Sequence, residues 1–403
     1  PAGTDGPALP TDCAVASDFA VCGADAVCLE GACTPLEPCT DCASGVTFTL
    51  PDTALAECQG TDGPIPCPDE GGSATCADTP LCGQDAQYGW DTVRDPDQRY
   101  TVVGADTEPV VTDTVTGLVW QGCASGQGAG CAGEATRGSW HDAAATCDGL
   151  DWGGHADWEL PTAPALQSIV DYGTTSPAMN TDAFANAPSR FDVDGDEWWI
   201  ECTWTATESA DDPDIMWAVM VNSGDVLAGS GVDYHLHDKD ASGWEGCYTR
   251  CVRPGPTPTH ARFLAAGTDA EPVVADVVTQ RSWQGCSVGQ QGPDCDGPAT
   301  MLPWAEALSA CEGLEWAGYS DWRLPNVTEL RNVVDLSFTR PAIDPEWFPN
   351  TPYYVGGDDR EGQYWSSTAR WYNAFALYVS FHDGGNHFYV QDEARHVRCV
   401  RGG

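Results

Sequence analysis

Two stretches of the chain decide its fold: Gly153-Gly-His-Ala-Asp-Trp-Glu-Leu-Pro161 and Ala317-Gly-Tyr-Ser-Asp-Trp-Arg-Leu-Pro325. They share an Asp-Trp pair and a Leu-Pro pair at the same spacing. Two copies are too few for a solenoid of short repeats, and a repeat of about 150 residues has the size of a whole domain. The sequence therefore predicts a tandem pair of globular domains.

Further matches extend the two copies outward. Trp120-Gln-Gly-Cys123 recurs as Trp283-Gln-Gly-Cys286, and the Pro-rich stretch 254–259 has the composition of a semi-rigid spacer between the copies. We predict five segments: a Cys-rich disulfide module at 1–45, a disulfide-bonded lead-in at 46–98, the first repeat at 99–254, a Pro-rich linker at 255–261 and the second repeat at 262–403.

Two helices are predicted in each repeat. Ser139 is an N-cap candidate for the first helix, and Pro303 opens the matching helix of the second repeat. The second helix follows the Leu-Pro pair, with Thr162 as its cap in the first repeat. In the second repeat, Asn326 and Glu329 have the spacing of a capping box. The remainder reads as short strands and long loops rich in Gly and Asp.

The charge of the chain excludes several classes of partner. Its 403 residues carry 61 acidic and only 17 basic side chains, for a formal net charge of −44. Such a surface repels nucleic acid, anionic lipid and sulfated polysaccharide, and it attracts cations. Adaptation to a saline habitat would give the same composition without any ligand. No apolar run reaches 18 residues, so we expect no membrane span.

The chain has 20 cysteines, an even number in each predicted segment. Even, dense cysteines are typical of disulfide-bonded proteins in an oxidising compartment, so we expect a secreted or cell-surface protein. Cys39 and Cys42 are spaced like a redox motif, but no βαβ pattern surrounds them and a structural bridge is the better interpretation. Alignment of the repeats predicts the pairs Cys123–Cys131, Cys286–Cys295, Cys147–Cys251, Cys311–Cys399 and, without a counterpart in the second repeat, Cys202–Cys247.

The order of these motifs resembles the Lcl C-terminal domain family, the domain found at the end of a bacterial collagen-like adhesin. The second repeat carries Asp321-Trp-Arg-Leu-Pro325, Trp365-Ser-Ser-Thr368 and Val397-Arg-Cys-Val-Arg401. The first repeat carries Asp113-x-x-Thr-Gly-Leu-x-Trp120, but Glu159 stands where the family has arginine. The resemblance covers both repeats and leaves residues 1–45 out.

This resemblance implies a fold class and a type of function. The implied fold is α+β: two tandem C-type-lectin-like domains, each with two helices, a small twisted antiparallel sheet and long loops. The implied function is adhesion or ligand binding, with a glycan or a protein as partner, and no catalysis. The adhesin's own partner, sulfated polysaccharide, does not carry over to so acidic a chain.

Two acidic loops predict metal sites. Carboxylates at alternate positions in a loop bent by glycine converge on a hard cation, and Ca²⁺ takes six to eight oxygen ligands. Loops in this region of C-type-lectin-like domains bind ligands and calcium, which the resemblance extends to both repeats. The alternative is a solvated acidic loop. The candidate calcium ligands are Asp192, Asp194, Asp196 and Glu197 in the first repeat, and Asp358 and Asp359 in the second.

A structural role is the alternative function. The alternating residues Val46–Leu50 predict a strand, which a neighbouring copy could accept to build an extracellular fibre or sheath as a homo-oligomer. Unpaired aromatics such as Trp347 and Trp371 either pack in the core or form a stacking platform for sugars. No nucleophile elbow, metalloprotease motif or phosphate loop is present, so we expect no enzyme.

Overall fold

The structure is a computed structural model of the 403-residue chain. It describes residues 18–23, 26–36, 48–55, 57–60, 63–65, 67, 81–88, 96–188, 201–227, 246–255, 260–356, 360–370 and 374–402.

The elements are short, and strands dominate. The N-terminal region contains β1 (Val21–Gly23), β2 (Ala26–Leu29), β3 (Ala32–Pro35), β4 (Cys58–Gln59), β5 (Pro64–Ile65), α1 (Asp85–Tyr88) and α2 (Pro96–Arg99). The first repeat contains β6 (Tyr100–Val103), β7 (Val110–Asp113), β8 (Val119–Gln121), β9 (Arg137–Gly138), α3 (Trp140–Asp148), α4 (Ala163–Gln167), β10 (Cys202–Glu208), β11 (Met216–Met220), β12 (Val226–Leu227) and β13 (Cys247–Tyr248). The second repeat contains β14 (Phe263–Gly267), β15 (Pro272–Asp276), β16 (Arg281–Gln284), β17 (Met301–Leu302), α5 (Trp304–Glu312), α6 (Val327–Asn332), β18 (Gln363–Ala369), β19 (Phe375–Ser380), β20 (Asn386–Val390), β21 (Arg395–His396) and β22 (Val400–Arg401).

The predicted helices form at the predicted caps. Ser139 caps α3 in a capping box with Asp142, and Asn326 caps α6 in a capping box with Glu329. The Thr162 side chain caps α4. Helices α4 and α6 are short: α4 has five residues and α6 has six.

The predicted α+β class, with two C-type-lectin-like domains, is wrong. Among the described residues no helix exceeds nine residues, the structure consists mainly of small sheets, and no C-type-lectin pattern is established. The caps that the sequence displays fix where a helix begins. Gly149 and Gly313 end α3 and α5, whereas α4 and α6 end although buried apolar residues follow them. The tandem arrangement itself fits the structure.

The two repeats share one ten-stranded sheet, with order β17-β21-β18-β19-β20-β12-β11-β10-β13-β9. The joint is the antiparallel pairing of β12 with β20, where Val226 lies opposite Asn386. These two residues are equivalent, because each follows the same glycine turn, at Gly224 and at Gly384. Antiparallel contact between equivalent strands is what a twofold axis produces. The repeats therefore pack like the two halves of a symmetric dimer.

Helices α4 and α6 extend this joint. Arg331 donates a hydrogen bond of 3.0 Å to Gln167, the residue at its own equivalent position in the first repeat. One continuous core lies beneath, with side chains of both repeats such as Trp120 and Trp283 fully buried. Because burial of apolar surface is the main driving force of folding, we expect the repeats to fold as one unit.

All five disulfides predicted from the repeat alignment are confirmed. The long pairs Cys147–Cys251 and Cys311–Cys399 tie the first helix of each repeat to its last segment, and Cys202–Cys247 occurs in the first repeat only. The short pairs are Cys123–Cys131 and Cys286–Cys295. Two more bridges lie in the N-terminal region: Cys22–Cys33 ties β1 to β3, and Cys58–Cys67 closes the hairpin of β4 and β5.

The strand predicted at Val46–Leu50 is wrong over the part that the structure describes. Residues 48–50 form no strand, while positions 46 and 47 lie outside the described residues. Phe48 and Leu50 are instead buried in the shared core of their own chain. The alternation that predicted a strand reflects this burial, and the fibre stays a prediction without the exchanged strand as support. Cys39 and Cys42 also lie outside the described residues.

Candidate binding surfaces

The predicted calcium ligands cannot be placed. Both loops, 192–197 and 358–359, lie outside the described residues, so the calcium sites stay a prediction. Within the described part of the chain, no group of three or more His, Cys, Asp or Glu side chains is arranged to hold a metal ion.

A buried ion-paired triad organises the second repeat. Glu329 accepts hydrogen bonds from Arg281 (2.8 Å) and, in bidentate fashion, from Arg323 (2.7 Å to each oxygen). Burial raises the pKa of Glu329, but the guanidinium groups of Arg323 and Arg281 outweigh it and lower the pKa to about 2. The triad fixes β16 to the start of α6, where Glu329 also accepts from the backbone N–H of Asn326.

The first repeat has no such triad. Leu118, Glu159 and Ala165 occupy the positions of Arg281, Arg323 and Glu329. Leu118 and Ala165 are buried, whereas Glu159 is exposed and desolvation alone raises its pKa. The departure from the family pattern noted at Glu159 therefore changes both the charge and the burial of this position.

Residues 81–88, which we call the docking segment, lie on the second repeat although they precede the first repeat in sequence. The Asp85 carboxylate accepts hydrogen bonds from the hydroxyls of Thr53 (2.6 Å) and Thr368 (2.8 Å). Tyr88 donates a hydrogen bond to Glu312 at the end of α5. Burial raises the pKa of Asp85 to about 6, although both threonine hydrogen bonds act to lower it. The docking segment is therefore an internal ligand of the second repeat.

The N-terminal hairpins dock on the second repeat as well. Asp18 pairs with Arg401 at 3.0 Å, and Glu30 accepts a hydrogen bond of 2.8 Å from the backbone N–H of Gly267. Arg401 also stacks on Tyr319, 3.7 Å from the ring centroid. Two separate parts of the N-terminal region therefore cover the same repeat.

A cluster of aromatic rings around Arg395, in which the Tyr389 ring is exposed to solvent, lies on the sheet of the second repeat. We call it the Tyr389 face; its members are Trp365, Tyr378, His387, Tyr389 and Arg395. The Arg395 guanidinium lies 4.3 Å from the Trp365 ring, 4.5 Å from the Tyr378 ring and 4.8 Å from the Tyr389 ring. Tyr389 remains 48% exposed while Arg395 beneath it is buried. A half-exposed aromatic ring thus faces solvent, with a guanidinium packed against it.

The rim of the Tyr389 face is polar. Arg360 and Glu393 form an ion pair of 2.6 Å, with both side chains partly exposed. The His387 ring lies 6.1 Å from that of Tyr378. Burial lowers the pKa of Arg395. Its Nε donates a hydrogen bond of 2.9 Å to the side-chain oxygen of Gln363. An apolar ring beside groups that donate and accept hydrogen bonds is the composition of a small-ligand site.

Sequence reasoning missed the Tyr389 face, yet one signal pointed to it. Gln363 and Arg395 occupy the positions of Cys202 and Cys247, the one cysteine pair without a counterpart in the second repeat. A position at which one repeat needs a disulfide and the other carries arginine is a place where the repeats have diverged. The surrounding rings come from three different strands, which the sequence does not bring together.

Comparison with known proteins agrees with the repeats found in the sequence. The model of the Lcl C-terminal domain family matches residues 109–253 and again residues 272–401. No curated protein matches the chain. Within the described residues, no helix combines the length and the apolar character needed to cross a bilayer.

Proposed function

The chain belongs to the Lcl C-terminal domain family, and on that premise we propose that it is an extracellular protein that binds a neutral glycan on the Tyr389 face. The disulfides of both repeats support the extracellular part, because such bonds persist in oxidising compartments. Adhesion to a surface would follow where the glycan is attached to one.

The observation that carries the glycan proposal is the half-exposed ring of Tyr389. Large aromatic rings normally bury most of their surface, and an exposed ring held rigidly binds ligands with little loss of entropy. The ring presents an apolar face to the C–H groups of a sugar. Arg360 and Glu393 at its rim supply a donor and an acceptor for sugar hydroxyls.

The net charge of −44 selects the kind of glycan. A sulfated or carboxylated polymer would approach this surface against a repulsive potential, so we propose a ligand without anionic groups. This separates the chain from the sulfated-polysaccharide binding that its family resemblance implies for the adhesin.

A glycan screen followed by calorimetric titration of the whole protein tests the proposal. We expect Tyr389→Ala to weaken binding of the best neutral glycan by about tenfold or more, as loss of a central aromatic contact does. Tyr354→Ala is the matched control, because Tyr354 is another exposed tyrosine of the same repeat, 37% exposed. Equal affinity of wild type and Tyr389→Ala would refute the Tyr389 face as the site, and preferential binding of sulfated glycans would refute the ligand class.

We also propose calcium as an aid to binding, on the basis of the acidic loops alone. Calorimetric titration of Ca²⁺ into metal-free protein should give saturable binding that Asp194→Asn weakens, with Mg²⁺ as the control cation. Asp359→Asn tests the loop of the second repeat separately. If neither variant binds Ca²⁺ more weakly, or if Mg²⁺ gives the same heats as Ca²⁺, the calcium proposal is refuted. The loops are then only a solvated acidic surface.

A further inference from the structure

The docking segment fills a groove of the second repeat. The groove lies between the end of α5, the start of α6 and β18, and its floor is thoroughly buried. Ser367 and Thr368 are 0% exposed, Asn326 3% and Arg323 5%. Gly83 also lies close to the Glu312 side chain, so the segment follows the groove over several residues.

The first repeat has a groove with the same backbone. We call it the first-repeat groove; its members are Asp148, Glu159, Thr162, Ala206 and Thr207. The Ala163 N–H donates to the Thr207 hydroxyl at 2.9 Å, as Val327 does to Thr368 at the same distance.

Two further bonds match between the grooves. The Ala206 N–H donates a hydrogen bond of 2.7 Å to the carbonyl of Pro161. Its counterpart, the Ser367 N–H, donates one of 2.8 Å to the carbonyl of Pro325. The Trp140 indole donates to the carbonyl of Thr205, as Trp304 does to Ser366. The shape of the groove is therefore retained in both repeats.

The two grooves differ in whether another segment of the chain covers them. Asp148, Glu159, Thr162 and Ala206 are exposed, and Thr207 is half-buried. Their counterparts are occupied by the chain itself, which shows that a groove of this shape accepts a peptide segment. A surface that is an interior contact in one copy of a repeat and faces solvent in the other is an unfilled interface.

The charge of the first-repeat groove differs from that of its counterpart. Glu159 stands in place of Arg323, and Asp148 in place of Glu312. Among the described residues no basic side chain pairs with either carboxylate. Desolvation raises the pKa of Glu159 without a cation to offset it. A second copy of the docking segment would place the Asp85 carboxylate on Thr207, the counterpart of Thr368, in a groove whose charged members Glu159 and Asp148 are both acidic. This groove therefore disfavours the chain's own segment.

We propose that the first-repeat groove binds an extended segment of a partner protein that carries a basic side chain at the position corresponding to Asp85. The Lys or Arg side chain pairs with Glu159, and backbone and hydroxyl groups of the segment contact Thr162 and Thr207. This interface is separate from the Tyr389 face, which lies on the other repeat, so either proposal can fail without the other.

Two synthetic peptides test the interface. Both carry the sequence of residues 81–88 with serine in place of Cys82; one keeps Asp85 and the other has Asp85→Lys. Each is titrated into the whole protein by calorimetry at low salt, up to about 1 mM peptide, which detects even weak binding. We expect the lysine peptide to bind saturably and the aspartate peptide to bind at least about tenfold more weakly.

A charge reversal in the protein sharpens the test. Glu159→Arg recreates the charge of the second repeat, and we expect it to reverse the preference so that the aspartate peptide binds better. Glu159→Gln should weaken binding of the lysine peptide. Asp182 is an exposed carboxylate outside the groove, so Asp182→Asn should leave that binding unchanged. Circular dichroism and melting temperature check that each variant folds; since Glu159 is exposed, we expect all to do so.

Three outcomes would overturn the proposal: no saturable binding of the lysine peptide, an unchanged preference in Glu159→Arg, or an equal loss of affinity in Asp182→Asn and Glu159→Gln. The last would mean that the general acidity of the protein attracts the peptide. Equal binding of both peptides to the wild type would also contradict the proposal, because the charge at the position of Asp85 would then have no effect.

Discussion

The two repeats solve the same structural problem with different chemistry. In the first repeat, Cys202 and Cys247 form a disulfide between β10 and β13. In the second, Gln363 and Arg395 occupy these positions and form a hydrogen bond of 2.9 Å. A covalent bridge leaves no group for a ligand, whereas an arginine packed among aromatic rings creates the Tyr389 face. The difference indicates that the first repeat is stabilised at this point while the second is specialised.

At the grooves the roles are reversed: the second repeat has the structural surface, and the first repeat has the open one. The second repeat builds a buried triad around Glu329 and covers it with the docking segment, so this surface belongs to the interior. The first repeat has exchanged the triad for Leu118, Glu159 and Ala165 and leaves the groove open. Under the two proposals, each repeat keeps one surface for structure and one for contact with a partner.

The largest effect is expected from breaking the triad. Glu329→Ala leaves Arg281 and Arg323 buried without a counter-charge, which costs about 3–5 kcal/mol of unfolding free energy. Chemical denaturation of Glu329→Ala and of the wild type measures this loss of unfolding free energy. In the first repeat, where Glu159 stands at the position of Arg323, Glu159→Ala should change stability by less than about 0.5 kcal/mol, because Glu159 is exposed. Equal losses in the two variants would contradict the difference between the repeats.

The next largest effect is expected from removing the Cys202–Cys247 disulfide of the first repeat. The double variant Cys202→Ser/Cys247→Ser opens a loop of 45 residues, and we expect a loss of about 3 kcal/mol. Conversely, Gln363→Cys/Arg395→Cys should form a new bridge in the second repeat, detected by thiol titration. Free thiols in that variant would show that the two positions are not structurally equivalent.

Asp85 should give the docking segment a pH dependence. The pKa of this carboxyl is 3.8 in the unfolded chain and about 6 when it is buried. Its contribution to stability is therefore complete below pH 3.8 and is lost as the pH rises through 6. We expect Asp85→Asn to be about 3 kcal/mol more stable than the wild type at pH 7.5, and nearly equally stable near pH 4. A constant difference between pH 4 and pH 7.5 would contradict this.

The smallest effect concerns the support of the Tyr389 face. Arg395→Lys keeps the charge but loses the planar stacking on three rings, and thermal denaturation should show a loss of about 1–2 kcal/mol. Arg360→Lys is the control at the exposed rim, where an ion pair contributes less than about 1 kcal/mol. A loss in Arg360→Lys as large as that in Arg395→Lys would mean that the aromatic packing contributes little.

The sequence predicted the features that depend on short-range signals. Helix caps such as Ser139 and Asn326 are local, and the disulfides followed from aligning one repeat with the other. The sheet that joins the repeats was not predictable, because β12 carries no edge signal and pairs with a strand about 160 residues away. The ends of the helices were not predictable for the same reason: a cap fixes a start, and tertiary packing fixes the end.

The candidate sites divide in the same way. The acidic loops stood out in the sequence, but their residues are not among those that the structure describes. The Tyr389 face and the first-repeat groove depend on side chains from several elements, so only the structure brings them together. Glu159 was visible as a departure from the family pattern, but its meaning required the burial of Arg323 in the other repeat.

The central claim is that the docking segment lies on the second repeat, while the first-repeat groove stays open. Hydrogen–deuterium exchange of the wild type and of Asp85→Lys tests it most directly, because a lysine in place of Asp85 should release the docking segment. We expect faster exchange in residues 81–88 and around Asn326 and Thr368, and unchanged exchange around Thr162 and Thr207. Faster exchange in both repeats, or in neither, would contradict the account.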